Sequence, residues 1–142
     1  MKAFRCRLPG RFGAIDQAGV AYYPTLLDHC HAAFEEFFEG ALKRPYPKVV
    51  MADRIGFPTV HLEADFREPL RYGDLLTFEV TVARLGERSV VFRYRVFRKA
   101  SKRPAFEILG TTACVNLKSF KSVPVPGWLR KRLKEHVTAP PT

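Results

Sequence analysis

Between residues 24 and 42 the apolar side chains recur at helical spacing. Leu26, Cys30, Ala33, Phe37 and Ala41 form one stripe, and Leu27, His31, Phe34 and Phe38 form a second beside it. Asp28, Glu35 and Glu39 occupy the polar side, where His29 also falls. The apolar arc is wide, which predicts a helix embraced by a sheet rather than one resting on it. Pro24 suits its first turn, where a missing N–H costs nothing. From residue 60 the period changes to two. Val60, Leu62, Ala64 and Phe66 alternate with His61, Glu63, Asp65 and Arg67, and Leu76, Phe78, Val80 and Val82 alternate with Thr77, Glu79 and Thr81. Val90, Phe92, Tyr94 and Val96 alternate with Val91, Arg93 and Arg95. Each run predicts a strand with one apolar face. Residues 85–88, Leu-Gly-Glu-Arg, predict a hairpin connection. Residues 3–8 predict a first or edge strand and residues 107–117 a last one. Residues 43–58, with three prolines, predict a loop holding at most one short helical turn.

The predicted order is strand, long helix, then four strands joined by tight connections. One helix cannot cover both faces of such a sheet, so the strands must curl around it. The fold class is α+β, an antiparallel sheet of about five strands wrapped around one central helix. The 142 residues predict one domain, with residues 126–142 as a basic tail carrying Trp128, Arg130, Lys131, Arg132 and Lys134. The other sheet face carries Arg93, Arg95 and Glu79 but also Val91 and Phe97, a mixture that suits partial burial by another subunit.

Charge and composition narrow the partners. The formal net charge of +10 makes the surface attractive to anions without saying which. Cys6, Cys30 and Cys114 are odd in number and form no CxxC pair, which argues against a disulfide framework or zinc site and for a reducing cytoplasm. The N-terminus lacks the apolar stretch of a signal peptide, and no run approaches the length of a spanning helix. No membrane partner is expected.

Asp16 is the first candidate for chemistry. It stands in a glycine-bounded loop just ahead of the helix start, where it reads either as a turn or capping aspartate or as a carboxylate poised beside free helix N–H groups. The run Asp16-Gln17-Ala18-Gly19-Val20-Ala21-Tyr22-Tyr23-Pro24 resembles the D-x-A-G-[IV]-x-[YWF]-[YF]-P signature of the 4-hydroxybenzoyl-CoA thioesterase family. Pro58-Thr59-Val60-His61, Pro69 followed by Gly73-Asp74, and Arg88-Ser89 resemble three further motifs of that family in the same order. The resemblance implies a hotdog fold and hydrolysis of aromatic or aliphatic acyl-CoA thioesters without metal or prosthetic group. It implies Asp16 as nucleophile or as general base on water, and the backbone N–H of Tyr23 as the group polarising the thioester carbonyl. Val20, His31, Pro58, Val60 and His61 are the substrate-binding candidates. Arg88 and Ser89 resemble the family's contact to the CoA phosphates, supplied by a neighbouring subunit. Family analogy also implies a homotetramer built from dimers.

His31 reads by itself as a satisfied core histidine. Hydroxybenzoyl enzymes of the family can place an aspartate at this helix position. Cys30-His31-Ala32-Ala33-Phe34-Glu35 is instead similar to the C-H-E-A-[YF]-E segment of 1,4-dihydroxy-2-naphthoyl-CoA hydrolases, with Ala32 in place of the glutamate. A hydroxyaryl-CoA is the expected substrate, with short or medium aliphatic acyl-CoA as the alternative. His61, on the polar side of its strand, reads equally as an interface or a pocket residue. Lys118, Lys121 and the 130–134 cluster read as a solvated face or as an extension of a CoA-binding rim. Two rival readings remain. One is a non-catalytic domain binding nucleic acid through its charge and Tyr94, Phe120 and Trp128, although no nucleic-acid motif is present. The other is a hotdog acyl-CoA binder or dehydratase.

Overall fold

The computed structural model describes residues 3–9, 23–70, 75–99 and 101–138. Helix α1 spans Tyr23–Gly40, close to the predicted 24–42. Strands β1 (Phe4–Pro9), β3 (Thr59–Phe66), β4 (Leu75–Leu85), β5 (Ser89–Arg98) and β6 (Phe106–Ala113) form one antiparallel sheet in the order β1-β4-β5-β6-β3. The sheet curls around α1, as the wide apolar arc of the helix requires, and this is the hotdog arrangement.

Aromatic side chains weld the helix to the sheet. Phe37 and Phe38 are fully buried, and Phe34, Phe37 and Phe92 meet edge to face, with centroids 5.2 Å apart for Phe34–Phe92 and 6.1 Å for Phe37–Phe92. Full burial of one such ring contributes about 1.5–3 kcal/mol. His29, expected on the polar side, leans against the sheet with its ring edge-on to Phe78 at 6.2 Å. The sheet wraps far enough to reach the flank of the helix.

The outward face of the sheet carries charge in register. Cross-strand partners run Arg5, Glu79, Arg95, Glu107 from β1 through β4 and β5 to β6. Glu79 accepts from Arg5 at 2.9 Å and from Arg95 at 3.4 Å. Its side chain is 9 % exposed, and two guanidiniums compensate for the burial of the carboxylate.

Three parts of the sequence-based expectation need correction. First, β3 buries neither face: all eight of its residues are exposed, including Val60, Leu62 and Phe66. A helix is about 10 Å across and strands lie about 4.8 Å apart, so one helix covers only two or three strands. The edge strand beyond that reach stays bare. Second, the strand predicted for 107–117 breaks at Cys114. There the ladder is interrupted as Cys114 N–H donates to the carbonyl of Arg88, and β7 (Val115–Asn116) turns away to pair with β2 (Ile55–Gly56). The loop predicted for 43–58 accordingly contains α2 (Tyr46–Met51) as well as β2. Third, the basic tail is not merely a tail. Residues Gly127–Lys134 form α3, opened by Pro126, and Leu129 and Leu133 are fully buried against the core. Two apolar residues four apart among basic ones make too thin a stripe to stand out by period.

The basic residues of α3 secure its neighbours. Arg130 donates to the carbonyls of Gly86 and Glu87 in the β4–β5 hairpin at 2.7 and 3.0 Å, and Arg132 donates to the carbonyl of Leu42 just beyond α1 at 2.6 Å. Val82 then exchanges backbone hydrogen bonds with His136 and Thr138, both 2.9 Å. Replacing Leu133 with Ala is expected to cost about 2–5 kcal/mol, read as a lowered urea midpoint. An unchanged midpoint would show that α3 is only loosely attached.

Candidate functional site

Asp16 and Val20 lie outside the described residues, as do Gly73 and Asp74 of the resemblance. Tyr23 is the first residue of α1. The leading amides of a helix have no partner four residues back, so the Tyr23 N–H belongs to a donor set facing whatever adjoins the helix start. Pro24 removes one competing donor from that set.

His31 and Pro58, far apart in sequence, line one cleft of about 370 Å³. The cleft lies along α1, and His31 stands about 12 Å from the helix start at 1.5 Å per residue. One wall is helical, with the His31 ring stacked on Phe34 at 5.6 Å and 23°. Behind it Tyr46 of α2 meets Phe34 edge-on at 4.8 Å, and the Tyr46 hydroxyl accepts from Phe57 N–H at 3.3 Å. The sheet side contributes Tyr94 and Thr112, whose hydroxyl is satisfied by the carbonyl of Val90 at 2.8 Å. Leu117 and Phe120, next to β7, also line it. The result is an aromatic slot with few polar groups, the kind of surface that receives a flat apolar group.

Val60 and His61 do not line this cleft. They stand on the bare edge strand, with His61 Nε2 3.2 Å from Glu63 Oε1 two residues on. Arg88 sits at the β4–β5 hairpin, where its guanidinium donates to the carbonyl of Ser122 at 2.9 Å, and Ser89 opens β5. A Cβ at Gly86 would fall 2.6 Å from Ser89 Oγ, so a side chain there would make the Ser89 hydroxyl turn away. On the helix, His31 Nε2 lies 3.7 Å from Glu35 Oε1.

The aromatic members of the cleft were absent from the sequence-based candidates for this site. Tyr46 and Phe57 lie in a proline-rich stretch without period, and Tyr94 alternates as any core residue does. Only the chain's course brings them together. A second cleft of about 350 Å³ opens on the outward sheet face among Arg5, Thr77, Glu79, Arg98 and Lys99. Its carboxylate is already engaged by two arginines, and it contains none of the motif residues.

Other chemistries have less support among the described residues. No three His, Cys, Asp or Glu side chains come together to hold a metal ion. Burial pushes the Cys30 thiol far up, and burial pushes those of Cys6 and Cys114 up to about 11. At neutral pH all three are protonated and poorly nucleophilic. Iodoacetamide is therefore expected to label the native protein at pH 7.5 much more slowly than the urea-unfolded chain, measured by intact mass. Equal labelling rates would contradict this.

Comparison with known proteins agrees with the fold. The Thioesterase-like superfamily matches residues 11–133. A 1,4-dihydroxy-2-naphthoyl-CoA hydrolase of Prochlorococcus marinus (strain NATL2A) is 36 % identical over 95 residues, which cover 63 % of this chain and 61 % of that protein. The chain thus spans about six-tenths of that relative's length. A thioesterase superfamily structure from Jannaschia sp. CCS1 superposes with a TM-score of 0.89 at 26 % identity, covering 96 % of this chain and 94 % of that one. The structure of a 1,4-dihydroxy-2-naphthoyl-CoA thioesterase from Synechocystis superposes with a TM-score of 0.84 at 21 % identity, covering 94 % and 97 %, which speaks for the fold alone. With the family match running over residues 11–133, the chain belongs to the Thioesterase-like superfamily.

Proposed function

We propose that this protein is an acyl-CoA thioesterase acting on an aryl, and specifically a hydroxyaryl, thioester such as dihydroxynaphthoyl-CoA or a benzoyl-CoA. The observation that carries the reading is the run from Asp16 to Pro24, which leads directly into the first turn of α1. In the proposed reaction the thioester carbonyl oxygen rests against the Tyr23 amide. The Asp16 carboxylate attacks the carbonyl carbon itself or takes a proton from the water that does. The C–S bond breaks, CoA leaves as thiol after gaining a proton, and water supplies the oxygen of the free acid. Neither metal nor prosthetic group enters these steps.

The aromatic slot supports the aryl preference. An acyl ring laid against the wall of His31, Phe34 and Tyr46 gains offset or edge contacts that an alkyl chain lacks. His31 and Pro58 are the substrate-binding residues of this slot, and Val20, outside the described residues, is a further candidate from the sequence. Arg88 and Ser89 hold the CoA phosphates at the hairpin, helped by the net positive charge of the chain. No helix among the described residues is long and apolar enough to cross a membrane, and Cys6, Cys30 and Cys114 are free thiols, which supports a reducing cytoplasmic setting.

The bare β3 edge supports assembly. Val60, Leu62 and Phe66 are 65, 45 and 54 % exposed along a strand that, among the described residues, has a neighbouring strand on one side only. Such an edge invites a second copy of itself. Pairing there would bring Val60 and His61 beside a neighbour's site, with the charged outer faces left to join dimers into a tetramer. Light scattering at micromolar concentration is expected to give four chains. A monomer would count against this arrangement.

Asp16→Asn is expected to lower turnover of a competent aryl-CoA by about 10²–10⁴-fold, the usual worth of a catalytic carboxylate, with an unchanged thermal midpoint. Thiol release followed with a chromogenic disulfide measures it. Near-normal turnover would remove Asp16 from the mechanism.

A further inference from the structure

Phe120 combines two features that rarely coincide. Its φ is 56°, in the left-handed region that bulky residues avoid, and its side chain is the most exposed of the chain's described aromatics at 73 %. The turn that holds it is closed on both sides. Phe120 N–H donates to the Asn116 carbonyl at 2.7 Å, and Asn116 N–H donates to the Lys121 carbonyl at 2.9 Å. Asn116 Oδ1 accepts from the amides of Lys118 and Ser119 at 2.8 and 3.2 Å. A hairpin loop of this kind ends on a left-handed residue, a place that favours glycine. The turn is also anchored to the site: Leu117 N–H donates to the Arg54 carbonyl at 2.9 Å, and Gly56 approaches Leu117 so closely that a Cβ would fall 2.7 Å from its side chain.

The left-handed position belongs to the turn, which a glycine would make without strain, so a ring at that position serves neither the turn nor core packing. Phe120 instead lines the aromatic cleft together with His31, Phe34 and Tyr46. Among the described residues those other rings have aromatic partners, whereas no ring contact joins Phe120 to another aromatic. A strained residue with an unpartnered ring at the mouth of a slot is placed for a ligand rather than for the fold.

We propose that Phe120 is a specificity-determining residue: its ring, held by the strained turn after β7 in the same cleft as the His31–Phe34 stack, covers the aromatic acyl group of the thioester and so favours aryl over alkyl substrates. This rests on the thioesterase reading. It adds that the discrimination lies in a residue the fold would be better without.

The test compares the wild type with Phe120→Gly and Phe120→Tyr on 2-naphthoyl-CoA, benzoyl-CoA and butyryl-CoA by thiol release. Phe120→Gly relieves the backbone and is expected to hold Tm or raise it by about 2–4 °C. Its kcat/KM for the two aryl esters should fall about tenfold, while that for butyryl-CoA changes less than about twofold. Phe120→Tyr keeps the ring and should restore the aryl preference. An unchanged aryl-to-butyryl ratio in Phe120→Gly, an equal loss on all three esters, or a lowered Tm would each overturn the proposal. If the wild type hydrolyses none of the esters, the thioesterase reading fails by itself. Calorimetric binding of phenacyl-CoA, a thioether that cannot be hydrolysed, then decides the role of Phe120. Weaker binding by Phe120→Gly supports the contact, and equal affinity or no binding by the wild type overturns it.

Discussion

The aromatic seam between α1 and the sheet is the interaction on which the remainder depends. Phe34 and Phe37 project from one helix against Phe92 of β5, and Phe38 beside them packs on Tyr46 of α2 and Phe57. This seam fixes the rotation of α1 about its axis. That rotation decides which side chains face the core and which face the cleft. Phe34 is shared between the two: it packs on Phe92 inside and carries the His31 stack outside. The same contacts that stabilise the fold therefore set the wall of the candidate site and the direction of the helix start.

A second level of order comes from elements that add little core of their own. The β2–β7 pair is two residues long on each side, yet it carries the turn with Phe120 and closes the cleft. α2 is a single short helix, and Tyr46 uses both its ring and its hydroxyl, one against Phe34 and the other on the Phe57 amide. The bidentate pair of Arg44 with Asp53, at 2.7 and 2.8 Å, ties the two ends of this excursion together. These pieces resemble a frame around the slot, supported by the hydrophobic core but not part of it.

How much of this was legible from residues alone follows from the range over which each signal acts. The helix and the three alternating strands write their periods locally, and there the predicted and observed elements agree within a few residues. The bare β3 edge was not legible because alternation reports which side chains share a face, not whether anything lies against that face. α3 was hidden because Leu129 and Leu133 stand among arginines and lysines whose stems and hydrogen bonds also belong to the fold. The cleft was legible at His31 and Pro58 through their motifs. It was not legible at Tyr46, Phe57 or Tyr94, which converge only through long-range topology. Asp16 and Val20 are known from the sequence alone, since the described residues begin again at Tyr23.

The segment after α3 closes the sheet in a way that matters outside the folded state. β1 pairs with β4 only as far as Val80, and from there the edge of β4 would lie open. Val137 bridges to Val82 in parallel, so the segment after α3 takes over where β1 stops. The protection of one strand is thus divided between β1 and the segment after α3. During synthesis that strand waits for residues made more than fifty positions later, and until they arrive it offers a ready seam for another chain. Loss of a few residues after α3, by proteolysis or by an early stop, would threaten solubility before it touched the cleft.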